Sequence, residues 1–295
     1  MPRYLLIKNA ELYAPEPMGR QDILIIGEQV AQVGPSLSPV PGLEGEVIDA
    51  AGRTVIPGYV DQHVHIIGGG GESGPYSRTP EVQLSAVTTA GVTTLVGVLG
   101  TDGTTRHLES LLAKARALDT EGITAYMLTG SYEVPLNTIL SDARRDIIVI
   151  DKILGIGEVA ISDHRSSQPT KDELKRILTQ ARLGGVLSGK AGVVQFHMGS
   201  GKTGLAPLLE ILEETEIPAK HFIPTHVNRD EGLFLQAMEL ARRGGYMDIT
   251  SGVRLKDGFT GGIKPSTAIR RCWGAGVPMD HVTMSSDGNG CMCLT

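Results

Sequence analysis

Cysteine and long apolar runs are scarce in this sequence. The three cysteines, Cys272, Cys291 and Cys293, lie late and unevenly among the 295 residues. Such spacing does not suit a disulfide framework, and free thiols are typical of a reducing compartment. No run approaches the roughly 18 consecutive apolar residues of a membrane span, and the N-terminus lacks the pattern of a signal peptide. We therefore expect a cytoplasmic protein.

Positive charge is not in excess either. The chain has 27 Lys and Arg against 33 Asp and Glu, which gives a formal net charge of -6, and it contains no basic run. This balance argues against nucleic acid and anionic membranes as partners. The hydrophobic fraction of 41% is normal for a globular protein and far above that of a disordered chain.

The first 55 residues differ in texture from the rest of the chain. Their short runs have apolar residues at every second position and are separated by Pro and Gly, which predicts a small β unit over residues 1–55. From residue 56 onward, short apolar runs alternate with amphipathic helical patterns. One of these helices should begin with a capping box, since Thr170 is followed three positions later by Glu173. The apolar runs are YVDQHVHI, TTLVGVLGT, ITAYMLTG, IGEVAISD, GVVQFHMG, FIPTHV, YMDITSG and VTMSSD.

These eight runs predict an α/β fold, a (β/α)8 barrel over residues 56–290. Parallel neighbours need crossover helices, and eight such units can close the sheet. A doubly wound open sheet is the alternative, but the segment GGGGESGP does not fit the G-x-G-x-x-G turn of that fold. No helix pattern follows the eighth run, so we expect a barrel that lacks its last helix, an atypical tail over residues 291–295, and a chain truncated at its C-terminus.

Polar residues cluster where the predicted strands end, which is where barrels of this kind carry their chemistry. Two histidines of the first strand are two positions apart, so their side chains point to the same side. Histidines and carboxylates recur at the ends of later strands, and adjacent strands lie only ~4.8 Å apart. The recurring residues are His63, His65, Glu158, His197, His226 and Asp287.

This set of four imidazoles and two carboxylates predicts a metal site. Nitrogen and carboxylate ligands suit zinc better than calcium or magnesium. Six ligands are too many for one catalytic zinc with an open position, and they suit a pair of ions ~3.5–4 Å apart. Such a pair lowers the pKa of bound water and polarises a substrate carbonyl, so the residues indicate a metal-dependent hydrolase.

Six motifs also carry a family resemblance: PGYVDQHVHIIGGGGESGP, LTGSYEVP, ISDHRS, FHMG, PTHVNR and SSDGNG. From about residue 10 to Gly290 the chain resembles the isoaspartyl (β-aspartyl) dipeptidases of the amidohydrolase superfamily. The HxH motif with later His, His and Asp is specific only to the superfamily. The GGGGE loop, together with SDHR and THVNR, is specific to the dipeptidases.

The resemblance implies a binuclear zinc centre with two Zn²⁺ ions per chain. The implied ligands are His63, His65 and Asp287 for one ion, and His197 and His226 for the other. Glu158 stands where the superfamily commonly has a carboxylated lysine, so its carboxylate would bridge the two ions.

The substrate class follows from charge and from the same resemblance. A β-aspartyl dipeptide carries one ammonium and two carboxylates, so a selective site needs one anion and two cations. Glu72 would bind the ammonium, and Arg165 and Arg229 would bind the carboxylates through their planar forks. Tyr132 would donate a hydrogen bond to the developing oxyanion. His164, beside Arg165, is expected to orient a metal ligand.

The implied reaction releases aspartate and an amino acid from the dipeptide. A metal-bridging hydroxide would attack the β-carbonyl, and Asp287 would accept its proton and pass it to the leaving amine. Two alternatives remain open: a cyclic-amide hydrolase of the dihydroorotase or hydantoinase type, and an inactive truncated remnant. The expected partner is the small dipeptide substrate, and the resemblance suggests a homo-oligomer.

Overall fold

A computed structural model describes residues 3–253 and 261–290 of the chain. The chain divides into two compact units, one ending at Tyr59 and the other beginning at Val60. The expected tail over residues 291–295, with Cys291 and Cys293, lies outside the described residues.

The N-terminal unit is a small five-stranded sheet. Strand β1 is central, because it pairs antiparallel with β2 and parallel with both β4 and β5, while β3 extends the sheet beyond β2. Alternate apolar side chains of β1, such as Leu6 and Ala10, are fully buried, as the period of two in the sequence requires. The strands are β1 (Arg3–Tyr13), β2 (Pro17–Ile26), β3 (Gln29–Gly34), β4 (Glu44–Asp49) and β5 (Thr54–Val55).

The eight predicted strands of the barrel are all present, in the predicted order. Six of them form one sheet in the order β11-β10-β9-β8-β7-β6, and the other two form the pair β12-β13. The pairings from β7 to β11 and between β12 and β13 are parallel. The strands are β6 (Tyr59–Val64), β7 (Val92–Gly97), β8 (Thr124–Thr129), β9 (Ile153–Ile161), β10 (Val193–Met198), β11 (Phe222–Thr225), β12 (Met247–Thr250) and β13 (Val282–Ser285).

Hydrogen bonds join these two sheets on both sides. The Tyr246 amide, just before β12, donates to the carbonyl of Phe222 in β11 at 3.0 Å. On the other side, a parallel bridge connects Val64 with Gly288, and the His65 amide donates to the Gly288 carbonyl at 2.9 Å. We call this second contact the β6–Gly288 seam. The barrel prediction is confirmed, and the open-sheet alternative is set aside.

Helices lie between successive strands and cover the sheet. Their buried faces pack on the strands in one large core that includes Leu95, Phe196 and Phe222. The predicted capping box is present, because the Thr170 side chain and the Glu173 side chain each bond the other's main-chain amide. The helices are α1 (Leu84–Thr89), α2 (Leu108–Thr120), α3 (Ala143–Val149), α4 (Lys171–Ser188), α5 (Ala206–Glu214), α6 (Glu231–Arg242) and α7 (Pro265–Gly274).

Helix α3 has no counterpart among the helical patterns of the sequence. It is only seven residues long, and its second half is a run of β-branched residues that is equally typical of a strand. Among the described helices, none is apolar over a length that could cross a membrane.

A buried carboxylate fixes the segment that leads into α3. Asp146 is fully buried and accepts hydrogen bonds from the Thr129 hydroxyl (2.6 Å) and from the amides of Ile139 (3.0 Å) and Leu140 (2.8 Å). Asp146→Ala should therefore lower the free energy of unfolding by about 3 kcal/mol, because the buried Thr129 hydroxyl and two partly buried amides lose their acceptor. Thermal and denaturant unfolding measure this loss, with the exposed Asp280→Ala as the matched control. Equal stability of the two variants would contradict the assignment.

Candidate metal centre and substrate pocket

The six predicted ligands converge at the carboxyl ends of the barrel strands. Three lie within strands: His63 in β6, Glu158 in β9 and His197 in β10. The others, His65, His226 and Asp287, follow β6, β11 and β13 within two residues. All four imidazoles and Glu158 are buried.

Glu158 lies at the centre of this cluster. Its Oε1 atom is 3.3 Å from Nε2 of His63 and 3.5 Å from Nε2 of His65. Its Oε2 atom is 2.9 Å from Nδ1 of His197 and 3.6 Å from Nε2 of His226. One carboxylate therefore reaches all four imidazoles.

Asp287 closes the cluster on the side of the β6–Gly288 seam. Its Oδ1 atom is 3.3 Å from Nε2 of His65 and 3.6 Å from Nε2 of His63. Its Oδ2 atom is 3.1 Å from Nη2 of Arg229. Asp287 and His226 both adopt positive φ angles, +55° and +65°, which are uncommon for residues other than glycine and concentrate at functional sites.

The donor set fits a pair of metal ions. Two groups of three residues have ligand atoms within 4.8 Å of one another, namely His63, His65 and Asp287, and His63, Glu158 and His226. Within the described part of the chain, Oε1 of Glu158, Nε2 of His63 and Nε2 of His226 are buried without a hydrogen-bond partner. Buried polar atoms are normally paired, so these three atoms are consistent with coordination to a cation.

The opposite ring nitrogens of two histidines are held by hydrogen bonds. Nδ1 of His65 lies 3.2 Å from the Leu99 carbonyl, and Nδ1 of His226 lies 2.6 Å from the Thr250 hydroxyl. Such contacts orient an imidazole and leave its Nε2 for a metal. In both cases Nε2 faces Glu158.

The electrostatics of the cluster also favour a cation. Burial lowers the pKa of His63, but the opposing effect of the Glu158 and Asp287 carboxylates is larger, and the net result is a pKa of about 9. Burial raises the pKa of Glu158, yet the imidazoles of His63 and His197 hold it well below its usual range. The carboxylates are thus ionised and need positive charge between the rings, which a metal ion supplies.

The four predicted substrate residues line one cavity beside this cluster, together with Asp287. Glu72 comes from the Gly-rich segment after β6, and its Oε1 accepts a hydrogen bond from the Thr101 hydroxyl (3.0 Å) and lies 3.3 Å from Nη1 of Arg165. Arg229 lies in the short helical turn after His226 and contacts Asp287. The cavity therefore brings one anion and two cations to the edge of the candidate metal centre.

Tyr132 is buried between the cluster and the cavity. Its hydroxyl oxygen is 2.7 Å from Nδ1 of His197, and the guanidinium of Arg165 lies 5.3 Å from the centre of its ring. Burial and the charge of Glu158 raise the pKa of Tyr132 well above its usual value. The phenol therefore stays protonated and can act as a hydrogen-bond donor.

Comparison with solved structures identifies the family. A β-aspartyl dipeptidase from Fervidobacterium islandicum AW-1 is 47% identical, with a TM-score of 0.90, over 97% of this chain and 77% of that chain. This chain belongs to the β-aspartyl dipeptidase family. A second F. islandicum structure, described as a complex with the β-Asp-Leu dipeptide, is 46% identical with a TM-score of 0.88, and the match covers 73% of that chain.

More distant relatives belong to the wider amidohydrolase group. Dihydroorotase from Staphylococcus aureus is 34% identical over 114 residues, which is 39% of this chain and only 26% of that protein. L-Hydantoinase from Arthrobacter aurescens is 16% identical with a TM-score of 0.63 over 96% of this chain, which shows a shared fold. No family model matches the sequence.

Asp163 contacts both the cluster and the cavity residue Arg165, although the sequence motifs assign it no role of its own. It is buried, its Oδ2 is 3.2 Å from Nε2 of His197, and its two oxygens accept hydrogen bonds from Nε (3.0 Å) and Nη2 (2.8 Å) of Arg165. Its neighbour His164 was expected to orient a metal ligand, but 87% of the His164 side chain is exposed. The motif SDHR was therefore the correct segment, but Asp163, and not His164, is the residue in it that contacts His197.

The central position of Glu158 gives a test of the metal centre. Glu158→Gln should weaken metal binding, probed with added zinc, at least about tenfold, because a carboxylate in reach of all four imidazoles loses its charge. Zinc retained after dialysis against a dilute chelator, measured by elemental analysis, gives the readout, with the exposed Glu133→Gln as control. Undiminished zinc in the Glu158 variant would remove Glu158 from the ligand set.

Proposed function

We propose that this chain is a binuclear zinc dipeptidase that hydrolyses β-aspartyl (isoaspartyl) dipeptides to aspartate and an amino acid. The observation that carries the proposal is the juxtaposition of the Glu158 cluster with a cavity lined by Glu72, Arg165 and Arg229. The complex of the F. islandicum relative with β-Asp-Leu supports the substrate class. A cytoplasmic location and homo-oligomeric assembly stay predictions.

The proposed division of the zinc ligands is the one that the family resemblance implies. His63, His65 and Asp287 would hold one ion, and His197 and His226 the other, with the Glu158 carboxylate between them. When bound, such a pair supplies a water of lowered pKa and polarises the substrate carbonyl. The two carboxylates and the unpaired ring nitrogens of the cluster suit this loading.

Charge complementarity supports the cavity as the binding site of the dipeptide. Glu72 would bind the substrate ammonium, and Arg165 and Arg229 would bind the two carboxylates by charge-assisted hydrogen bonds. In the structure Glu72 and Arg165 pair with each other at 3.3 Å. Substrate binding would replace this ion pair with two others, one between Glu72 and the ammonium and one between Arg165 and a carboxylate. The charges of Glu72 and Arg165 are therefore compensated both with and without substrate.

Two residues would act on the reacting atoms. Water adds to the β-carbonyl carbon, and the Asp287 carboxylate, whose pKa neighbouring imidazoles hold low despite burial, accepts the proton that the water loses. The Tyr132 hydroxyl donates a hydrogen bond to the carbonyl oxygen as negative charge develops there. Asp287 then returns the proton to the amide nitrogen, the C–N bond breaks, and the amino acid leaves.

A cyclic-amide hydrolase is the second candidate, because of the 114-residue similarity to dihydroorotase. That reaction does not require a cation pair for two carboxylates together with an anion for an ammonium. Assaying β-Asp-Leu and dihydroorotate with the same zinc-loaded protein separates the two. A preference for dihydroorotate would overturn the dipeptidase proposal, and soluble protein without either activity would favour an inactive remnant.

Asp287→Asn should lower kcat on β-Asp-Leu by about 10³-fold, because the amide cannot accept the proton from water. Zinc content, measured on the same preparation, should stay largely unchanged since an amide oxygen remains available. Near-normal turnover in this variant would refute the proton-transfer role.

Arg229→Ala should mainly raise KM for β-Asp-Leu, by about tenfold or more, because a charge-assisted contact with a substrate carboxylate is lost. Steady-state kinetics give the split between KM and kcat. The exposed Arg145→Ala serves as the matched control. An unchanged KM in the Arg229 variant would remove this residue from the substrate pocket.

A further inference from the structure

Arg106 is a buried arginine that does not line the cavity beside the candidate metal centre. It lies between β7 and α2 and is only 8% exposed. Its guanidinium donates hydrogen bonds to three main-chain carbonyls: Ile67 through Nη1, Gly69 at 2.7 Å and Thr79 at 3.3 Å, both through Nη2. A planar fork with several donors is suited to holding more than one acceptor at once.

These carbonyls belong to both ends of one loop. We call residues 67–80 the Glu72 loop, because Glu72 lies near its middle. Ile67 and Gly69 stand at the start of the loop and Thr79 at its end. One side chain therefore joins the two ends, and the Thr79 amide adds a direct hydrogen bond to the Gly69 carbonyl at 3.0 Å.

The two ends of the loop approach each other closely. Gly68 has a φ angle of +77°, and a Cβ atom built on it would lie 2.2 Å from the Thr79 carbonyl oxygen. Only glycine can occupy this position without displacing the other end of the loop. The Thr79 hydroxyl and the Gly69 amide both bond the Asn289 carbonyl, at 2.7 and 2.9 Å, two residues from Asp287.

Arg106 thus contacts the main chain at both ends of the loop that carries Glu72. Away from the loop ends, Glu72 is held by the Thr101 hydroxyl and by Arg165, and Arg165 is a partner that the substrate would compete for. When substrate takes Arg165, Glu72 keeps the Thr101 hydroxyl as a side-chain partner, and the loop that carries it keeps the anchoring at its ends.

We propose that Arg106 is a positioning residue, which holds both ends of the Glu72 loop and so sets Glu72 against the ammonium of the dipeptide. This inference rests on the proposed function, specifically on the contact of Glu72 with the substrate ammonium. Arg106 touches neither the substrate nor the metal ligands in this scheme.

The test compares two substrates that differ only in the ammonium, β-Asp-Leu and N-succinyl-leucine. Their ratio of kcat/KM measures how well the protein recognises the ammonium. Arg106→Met should lower this ratio at least about tenfold, because a displaced Glu72 loses a charge-assisted contact. Loss of structure in general would lower both kcat/KM values alike and leave the ratio unchanged, which would overturn the proposal.

Glu72→Gln and the double variant make the test specific. Glu72→Gln should lower the ratio by itself, and adding Arg106→Met should lower it no further. If Glu72→Gln leaves the ratio unchanged, the proposed role of Glu72 fails and this inference fails with it. If Glu72→Gln lowers the ratio but Arg106→Met does not, only the positioning role is overturned.

Two further variants keep the result interpretable. Arg106→Lys retains the charge without the fork, so it should fold and lower the ratio by less than Arg106→Met. The exposed Arg116→Met should leave the ratio and both kcat/KM values unchanged. Zinc content should match that of the parent protein in all these variants, and an Arg106→Lys ratio equal to that of the parent protein would count against the need for a fork.

Discussion

The contact of the buried Glu158 carboxylate with four imidazoles is the interaction on which the carboxyl ends of the barrel strands depend. An ionised group in the interior is costly unless opposite charge or hydrogen bonds compensate it. Glu158 lies 2.9–3.6 Å from rings supplied by β6, β10 and the segments that follow β6 and β11. The strands cannot shift relative to one another without separating charges, so the electrostatics of the cluster and the register of the barrel support each other.

Most of the architecture could be predicted, because the spacing of apolar residues and the succession of strand and helix patterns can be read from short stretches of sequence. Each of the eight strands is a short apolar run bounded by glycine or polar residues, and the capping box at Thr170 is readable from four letters. Helix α3 was not predictable in this way. Seven residues are too few to establish a helical period, and Ile147, Ile148 and Val149 favour a strand as much as a helix.

The candidate site was predictable where residue type and strand end coincide. His63 and Glu158 were found because chemistry in barrels gathers at the carboxyl ends of strands. Asp163 and Arg106 were not found, for two different reasons. Asp163 stands beside His164 and Arg165 in the motif SDHR, and those two residues drew the functional assignments. Arg106 bonds main-chain carbonyls, and every residue type has such a carbonyl, so the sequence of the loop does not reveal these contacts.

The β6–Gly288 seam has a consequence for how the chain comes together. His65 lies in the seam, with His63 two residues before it, and Asp287 directly precedes Gly288 on the other side. The two histidines therefore acquire their acidic neighbour only when the segment after β13 joins β6. A divalent ion bound by all three would span that junction as a staple. Formation of the metal centre and closure of the barrel at this seam would then be the same event.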